Sequence, residues 1–467
     1  MRNPIEVIKN FFSSKGVAMN TEKVNWFKDE IEKTRYKDRI SRVEDIDDYL
    51  RRNHKVLQIP SFQYKEHTFE PTRLVLQTLR SIIKFHSSYI CGSPVSITGD
   101  KEFVSLLNTI YKRGGYTKTD LEIAKDLITY GDTFEYVYLD GDKIKSKLIR
   151  NKDSYPLYDS FGNYTHFVEY WKDEDTRADH YVVYYPEKVE IYENSTLIDT
   201  KPNLTGLPIW YSAMDKSKYD KFGDPFPLDL MGIMDTIESL LSKLDTAVLT
   251  LSLSPIGIIS GQRFDDSSIP RDMVGAVLNI EESGSFSWAN AQMDKESIKL
   301  ELDYVIQQFY AIACVPASIM GQSNVANVSE TSITMLYQQC DNFARQYIAS
   351  MKEGFEKRLE YIRKLMEYNG QTVSDEVFDS VNFSFNVARP VDRAADMENM
   401  QIQYNCGAIS KQTIIDRSPY TTDTALELKR IEDESKANGD SEEETDDPLE
   451  IVTSTKTEEV IIDDKAD

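Results

Sequence analysis

The sequence predicts an α+β fold, and three observations carry that prediction. Apolar residues recur at three- and four-residue spacing over several long stretches, the mark of amphipathic helices. A tyrosine-rich stretch between about 131 and 211 alternates at period two, the mark of half-buried strands. Hydrophobic residues make up 40% of the chain and charged residues 28%, ordinary globular usage that excludes wholesale disorder and fibrous repeats. With 467 residues the chain has material for roughly three domains at about 150 residues each.

The N-terminal run MRNPIEVIKNFFSSKG carries Ile5, Ile8, Phe11 and Phe12 at helical spacing, with too short an apolar core for a signal peptide, and reads as a docking helix. Residues 70–97 open with Pro71 and carry Leu74, Leu76, Leu79, Ile82, Ile83 and Phe85, so a helix is expected there, ending at the Gly92-Ser93-Pro94 break. Short helices over 103–111 and 119–130 follow. Past Gly131, residues 133–138 alternate and run into Asp140-Gly141, suited to a two-residue hairpin turn. Strands are expected over 167–171, 181–185 and 189–192, separated by acidic or proline-bearing turns.

At Asp224-Pro225-Phe226-Pro227 the prolines can only open a helix, and Leu230, Ile233, Met234, Ile237, Leu241, Leu244, Val248 and Leu251 then continue it. Residues 253–293 lose that period. Residues 255–261 and 277–280 read as short strands of a small β-rich insert. Helical spacing resumes at Ile298, Leu302, Val305, Phe309 and Ile312, with Asp294 as a cap, and stops before Pro316. A polar, uncharged stretch over 320–327 then feeds the longest helix through Asn327 and Glu330, spaced as a capping box. That helix shows one face in Ile333, Leu336, Cys340, Phe343, Tyr347, Met351, Phe355, Leu359, Ile362 and Met366. Glu353 with Lys357 and Glu360 with Lys364 are expected i,i+4 pairs, and Gly370 ends the helix. A strand over 381–387 and short helices over 393–404, 411–417 and 424–436 complete the ordered chain. Beyond about 437 acid and Ser/Thr dominate, which predicts a mobile tail.

Lys and Arg total 54 against 78 Asp and Glu, a formal net charge of -24, which opposes tight non-specific binding to a polyanion. The four cysteines, Cys91, Cys314, Cys340 and Cys406, form no CxxC pair, so neither a zinc site nor a disulfide framework is expected, and a reducing compartment is. The most apolar late stretch, 249–261, is broken by Pro255 and Gly257 and falls short of the ~20 residues that span a bilayer, so a soluble protein is expected. No phosphate-loop, dinucleotide, zinc-protease or serine-hydrolase motif occurs, and His54, His67, His86, His166 and His180 make no ligand-spaced pair. Asp173-Glu174-Asp175 reads as a solvated turn rather than a cation site. No enzyme, cofactor or metal is therefore expected.

The order of elements, and four segments within it, resemble the portal proteins of tailed bacteriophages, particularly the family in phages of Gram-positive hosts. The segments are LRSIIKFHSSYICGSPV at 79–95, YGDTFEY at 130–136, VPASIMG at 315–321, and ISKQT at 409–413 followed by ELKRIE at 427–432. Where relatives commonly carry a Ser-Gly pair entering the long helix, this chain has Val328-Ser329-Glu330.

The resemblance implies a homo-oligomeric ring, usually dodecameric, at one capsid vertex of the virion, assembled in the host cytoplasm. Double-stranded DNA would pass through it during packaging and ejection. Terminase, through its large subunit, a head-completion or adaptor protein, and the major capsid and scaffolding proteins would be its partners, with no membrane and no cofactor. It further implies a wing over 1–226, a stem helix over 227–252, a clip over 253–293, a second stem helix over 294–313 and a tunnel loop over 314–331. The long helix with a returning wing strand would occupy 332–390, a crown 391–436 and an acidic tail 437–467. Gln322, Ser323, Asn324, Val325 and Asn327 would face the DNA. They offer weak neutral hydrogen bonds and bulk without charge, which suits a conduit that must not bind the polymer it passes. Lys243, Lys295 and Lys299 on the stem read as solvated helix-face lysines. The rival readings are another virion structural protein, such as a head-tail adaptor or minor capsid component, and an enzyme of unfamiliar type whose carboxylates meet only in space.

Overall fold

The computed structural model describes residues 25–64, 67–216, 221–248, 256–260, 285–289, 295–316, 330–388, 393–418, 421 and 424–437. The expected N-terminal docking helix and the tail beyond 437 lie outside them, as do Asp294, Asn327 and residues 277–280. The chain divides into two compact units, Met1–Pro390 and Val391–Asp467.

The first unit opens with helices α1 (Trp26–Ile31) and α2 (Thr34–Leu50), a small hairpin of β1 (Phe62–Tyr64) and β2 (His67–Phe69), helix α3 (Thr78–Cys91) and strand β3 (Ser96–Thr98). Helix α3 starts later than its spacing predicts. Leu74 and Leu76 are not helical, because the backbone N–H groups here find partners elsewhere. Thr72 N–H donates to Thr246 Oγ1 (3.0 Å), Leu74 N–H to Ser242 Oγ (3.0 Å) and Leu76 N–H to Glu238 Oε1 (2.7 Å). Every second residue of the extended segment thus meets every fourth residue of a helix, two repeats that match at about 6 Å. Helix α4 (Lys101–Gly114) is capped by Asp100, whose carboxylate accepts from Glu102 N–H and Phe103 N–H. Helix α5 (Tyr116–Tyr130) ends at Gly131, at φ 77. A Cβ there would lie 2.2 Å from the Gly223 carbonyl oxygen, so this crossing of two backbones requires glycine.

Two antiparallel sheets follow. Strands β4 (Asp132–Asp140) and β5 (Lys143–Ile149) form the expected hairpin, with Asp140 opposite Lys143 and Gly141 at φ 65 in the turn. With β11 (Ile209–Ser212) they make a three-stranded sheet in the order β11-β4-β5. Strands β6 (Ser154–Tyr158), β7 (Tyr164–Lys172), β8 (Asp179–Tyr184), β9 (Lys188–Glu193) and β10 (Thr196–Pro202) make a five-stranded meander. Strand β4 departs from the half-buried expectation: Asp132, Thr133, Phe134 and Glu135 are all buried. Phe134 packs with Phe167 and Tyr184 of the meander, while Val137 belongs to the helical core, so this strand is covered on both faces.

Helix α6 (Pro227–Ala247) has Pro227 in its first turn, as expected. Strands β12 (Ile256–Ser260) and β13 (Ser285–Ala289) pair antiparallel, with Ile256 opposite Ala289. Helix α7 (Lys295–Ile312) leads to α8 (Glu330–Tyr368), 39 residues long. Gly370, at φ 84, closes α8 by donating to the Glu367 carbonyl while Gln371 N–H donates to that of Met366. The expected i,i+4 pairs on α8 are replaced: Lys357 binds Glu360, and Lys364 Nζ donates to the Thr205 carbonyl (2.8 Å), a buried-side acceptor in reach of a long side chain. Helix α9 (Asp375–Asp379) and strand β14 (Asn382–Ser384), paired with β3, end the unit.

One continuous core joins α3, α5, α6, α7, α8 and the three-stranded sheet, and two aromatic cores sit on the five-stranded sheet. The second unit holds α10 (Arg393–Asn405), α11 (Lys411–Arg417) with Ser410 as N-cap, and α12 (Thr424–Ala437).

Candidate functional site

Residues 317–329, with Gln322, Ser323, Asn324, Val325 and Asn327, lie outside the described residues; the structure describes the chain on either side of them. On the outgoing side, one flank of the last turn of α7 and the chain just after it enter the core: Phe309, Ala313 and Val315 are buried, while Ile312 is 41% exposed. Cys314 takes a positive φ of 52, a conformation that costs a non-glycine residue about 1 kcal/mol and persists only where surroundings fix it. Two side chains do so. His86 Nε2, from α3, donates to the Ala313 carbonyl (2.8 Å), and the Cys340 thiol, from α8, donates to the Cys314 carbonyl (2.8 Å). The His86 ring lies 4.1 Å from that of Phe343 and edge-on to Phe226. Burial there pushes its pKa down to about 4, although the bond to Ala313 opposes this, so at neutral pH the ring is uncharged and its one proton sits on Nε2. Burial likewise pushes the Cys340 thiol up to about 12, which keeps the S–H in place.

On the returning side, the described side chains of α8 pass from exposed to buried. Met335 is 69% and Leu336 43% exposed, whereas Tyr337, Cys340 and Phe343 are buried. Leu336 lies on the predicted apolar stripe yet stands outside the core, because the first turns of α8 precede its entry. Helix α7 shows the same two-sidedness. Leu302, Val305 and Ile306 pack on the core, while Leu300 and Tyr304, one turn apart, are 73% and 62% exposed. Lys243 on α6 and Lys299 on α7 are exposed, as read from the sequence.

Helix α6 is bound to the unit by more than apolar packing. Glu238, buried, takes the Leu76 N–H and lies 2.8 Å from His54 Nδ1; His54 Nε2 lies 3.0 Å from the Tyr49 carbonyl at the end of α2. Further along α8, the fully buried Arg358 donates to Glu135 Oε1 (2.9 Å) and Asp120 Oδ1 (2.6 Å), and Tyr211 donates to Glu135 from β11. Burial opposes the Arg358 charge, but Glu135, Tyr211 and Asp120 outweigh it and raise its pKa; burial raises that of Asp120. Arg358 follows Phe355 by three residues and precedes Ile362 by four, so a cation on the apolar stripe is the sequence signal of this centre. Nothing comparable marks His86 or Cys340, whose partners are backbone carbonyls distant in the chain.

Asp173 behaves as the solvated turn expected: its Oδ1 accepts from Asp175 N–H and from the N–H and hydroxyl of Thr176, bonds that hold its carboxyl below the usual range. Among the described residues no group of three or more His, Cys, Asp or Glu is placed to hold a metal ion, and no helix is long and apolar enough to cross a membrane.

The fold defines a mixed helix-and-sheet subunit whose helices α7 and α8 carry exposed apolar side chains beside their buried faces. A family model described as phage portal protein, SPP1 Gp6-like, matches residues 29–441, and the chain belongs to that family. It is a portal protein of a phage-like particle. Among solved structures, a chain in the neck of a native gene transfer agent particle computed with C12 symmetry is similar at 9% identity and TM-score 0.44, over 72% of this chain and 87% of that one. A chain in the neck of an empty particle of the same kind, computed with C6 symmetry, is similar at 10% identity and TM-score 0.42, over 75% and 88%. A chain in the virion of the native particle gives 11% identity and TM-score 0.41, over 72% and 87%. No curated protein matches.

Proposed function

We propose that copies of this chain close into a ring, usually of twelve in portal proteins, at one vertex of the capsid, and that double-stranded DNA is packaged and ejected through its axis. The observation that carries this reading is the two-sidedness of α7 and of the first turns of α8. Leu300, Tyr304 and Met335 are largely exposed on helices whose opposite faces are already buried, so their apolar surface is available for a second copy. A heterologous contact repeated about a closing rotation buries such a face on every subunit.

In this reading residues 1–226 form the wing, 227–252 and 294–313 the stem, 253–293 the clip, 332–390 the long helix with the returning wing strand, 391–436 the crown and 437–467 an acidic tail. The clip docks terminase and later the head-completion or adaptor protein, while the ring meets the capsid and scaffolding proteins during assembly in the host cytoplasm. The subunit does no chemistry on DNA; ATP hydrolysis belongs to the terminase. A net charge of -24 supports passage without adhesion, since each phosphate held by Lys or Arg would have to be released at every step.

Residues 314–331 form the tunnel loop, with Gln322, Ser323, Asn324, Val325 and Asn327 toward the DNA. Replacing Asn324 and Asn327 together by Ala is expected to leave rings intact in electron micrographs and to lower the yield of DNA-filled heads. Normal filling would refute the DNA-facing assignment.

A further inference from the structure

The end of α7 poses a physical problem that two distant side chains solve. A helix leaves its last carbonyls without intrahelical partners, and water, a C-terminal glycine motif or a side chain must satisfy them. Ala313 and Val315 are buried, and the left-handed position is held by Cys314 rather than by glycine. The turn itself is closed by Ala313 N–H to the Phe309 carbonyl (2.8 Å) and Val315 N–H to that of Tyr310 (3.4 Å). The carbonyls of Ala313 and Cys314 then point away from the helix, and the donors to them come from elements more than 25 residues away in either direction along the chain, His86 on α3 and Cys340 on α8.

We infer that His86 and Cys340 are positioning residues that fix the point and direction at which the chain leaves the second stem helix. On the reading of this stretch as the approach to the DNA, the two residues take part in packaging. Cys340 lies ten residues into α8, about 15 Å from its start, so the outgoing chain is tied to the same helix to which it returns. The tie makes the end of α7, α3 and α8 one body. A force on the chain beyond Pro316 is then borne by a packed core rather than by a free helix end. Both donors are neutral and keep their protons throughout the neutral range, so the tie does not open with modest changes of pH.

The test compares H86F/C340A, which keeps the ring stack and most of the volume but removes both donors, with H86Q/C340S, which restores an N–H and an O–H. Hydrogen exchange of residues 309–316 is measured in the assembled full-length protein, and DNA filling of heads is scored in parallel. The expected result is exchange about tenfold faster at 313–315 in H86F/C340A, with α5 and the sheets unchanged, fewer filled heads, and recovery of both in H86Q/C340S. Unchanged exchange at 313–315, or an equal rise over the whole unit, would overturn the positioning role by showing that the donors are idle or merely structural. Faster local exchange with normal filling would confirm the tie and overturn its part in packaging. Because exchange is read without DNA, failure of the tie is distinguished from failure of the DNA-facing reading.

Discussion

The sheet-bearing body over residues 132–212 and the pair of helices α6 and α7 solve the same problem in opposite ways. The body closes on itself. Phe134 meets Phe167 and Trp210, Tyr155 meets Tyr36, Phe27 meets Tyr181 and Tyr192, and Arg39 and Arg358, both buried, are surrounded by carboxylates, carbonyls and ring faces of the same chain. Helix α7 instead buries one flank within the subunit and presents Leu300 and Tyr304 on the other. In the proposed ring, the difference separates what makes the subunit fold from what makes it assemble. Changes in the first region should be read in stability and changes in the second in association.

The largest effect is expected in the body. Arg358→Met removes the cation between Asp120 and Glu135 and leaves buried carboxylates without it, at a cost of about 3–5 kcal/mol. Thermal or urea unfolding should show it, and adding Asp120→Asn and Glu135→Gln should recover much of the loss. A single Arg358→Met variant as stable as the parent would break the comparison from that side.

On the other side, Leu300→Asp with Tyr304→Asp should leave the unfolding transition of the subunit within about 0.5 kcal/mol of the parent, since both residues are exposed. Association should weaken by about 2 kcal/mol or more, roughly thirtyfold, measured by sedimentation. Loss of folding rather than of association would show that these residues belong to the subunit's own core.

His86 packs against the end of α7, and its effect depends on pH. Unfolded, an imidazole takes up its proton near pH 6.5; folded, His86 does so only at about 4, because burial disfavours the charge. Its contribution is therefore complete above pH 6.5 and is lost as the pH falls, by about 2 kcal/mol between pH 7 and pH 5. Burial raises Asp126 and Asp153 to about 6, and these act in the opposite sense, favouring the fold below the usual carboxylate range and losing that contribution as pH rises through 6. Comparing wild type with His86→Gln across this range isolates the histidine. The parent should lose stability faster on acidification, and parallel curves would contradict the buried neutral ring.

The smallest effect is expected at Ser242. Replacing it by Ala removes the acceptor of Leu74 N–H and should cost about 1 kcal/mol, with faster exchange at residue 74 as its local signature.

Much of the fold is legible in the amino-acid order because local signals and tertiary packing agree. The apolar stripe from Ile333 to Met366 defines α8 to within about three residues of its ends, Pro227 opens α6, and the alternation into Asp140-Gly141 makes a hairpin. The failures are places where a distant partner overrides the local signal. Leu74 and Leu76 have helical spacing but are extended, because Ser242 and Glu238 of α6 accept their backbone N–H groups. Lys364 is spaced for Glu360 but reaches the Thr205 carbonyl, and Lys357 takes Glu360 instead. At the candidate site, the helix that begins at Glu330 is legible, whereas the tie through His86 and Cys340 is not. A carbonyl acceptor carries no side-chain signature, and sequence spacing says nothing about residues joined across 227 positions.

The most direct measurement is the mass and top-view image of the purified full-length protein. Annular particles of uniform diameter, with a mass that is a fixed multiple of the 53.7 kDa chain, are the expected result. A compact single subunit at every concentration, with no annuli, would contradict it and leave the outward faces of α7 and α8 without the neighbour they require.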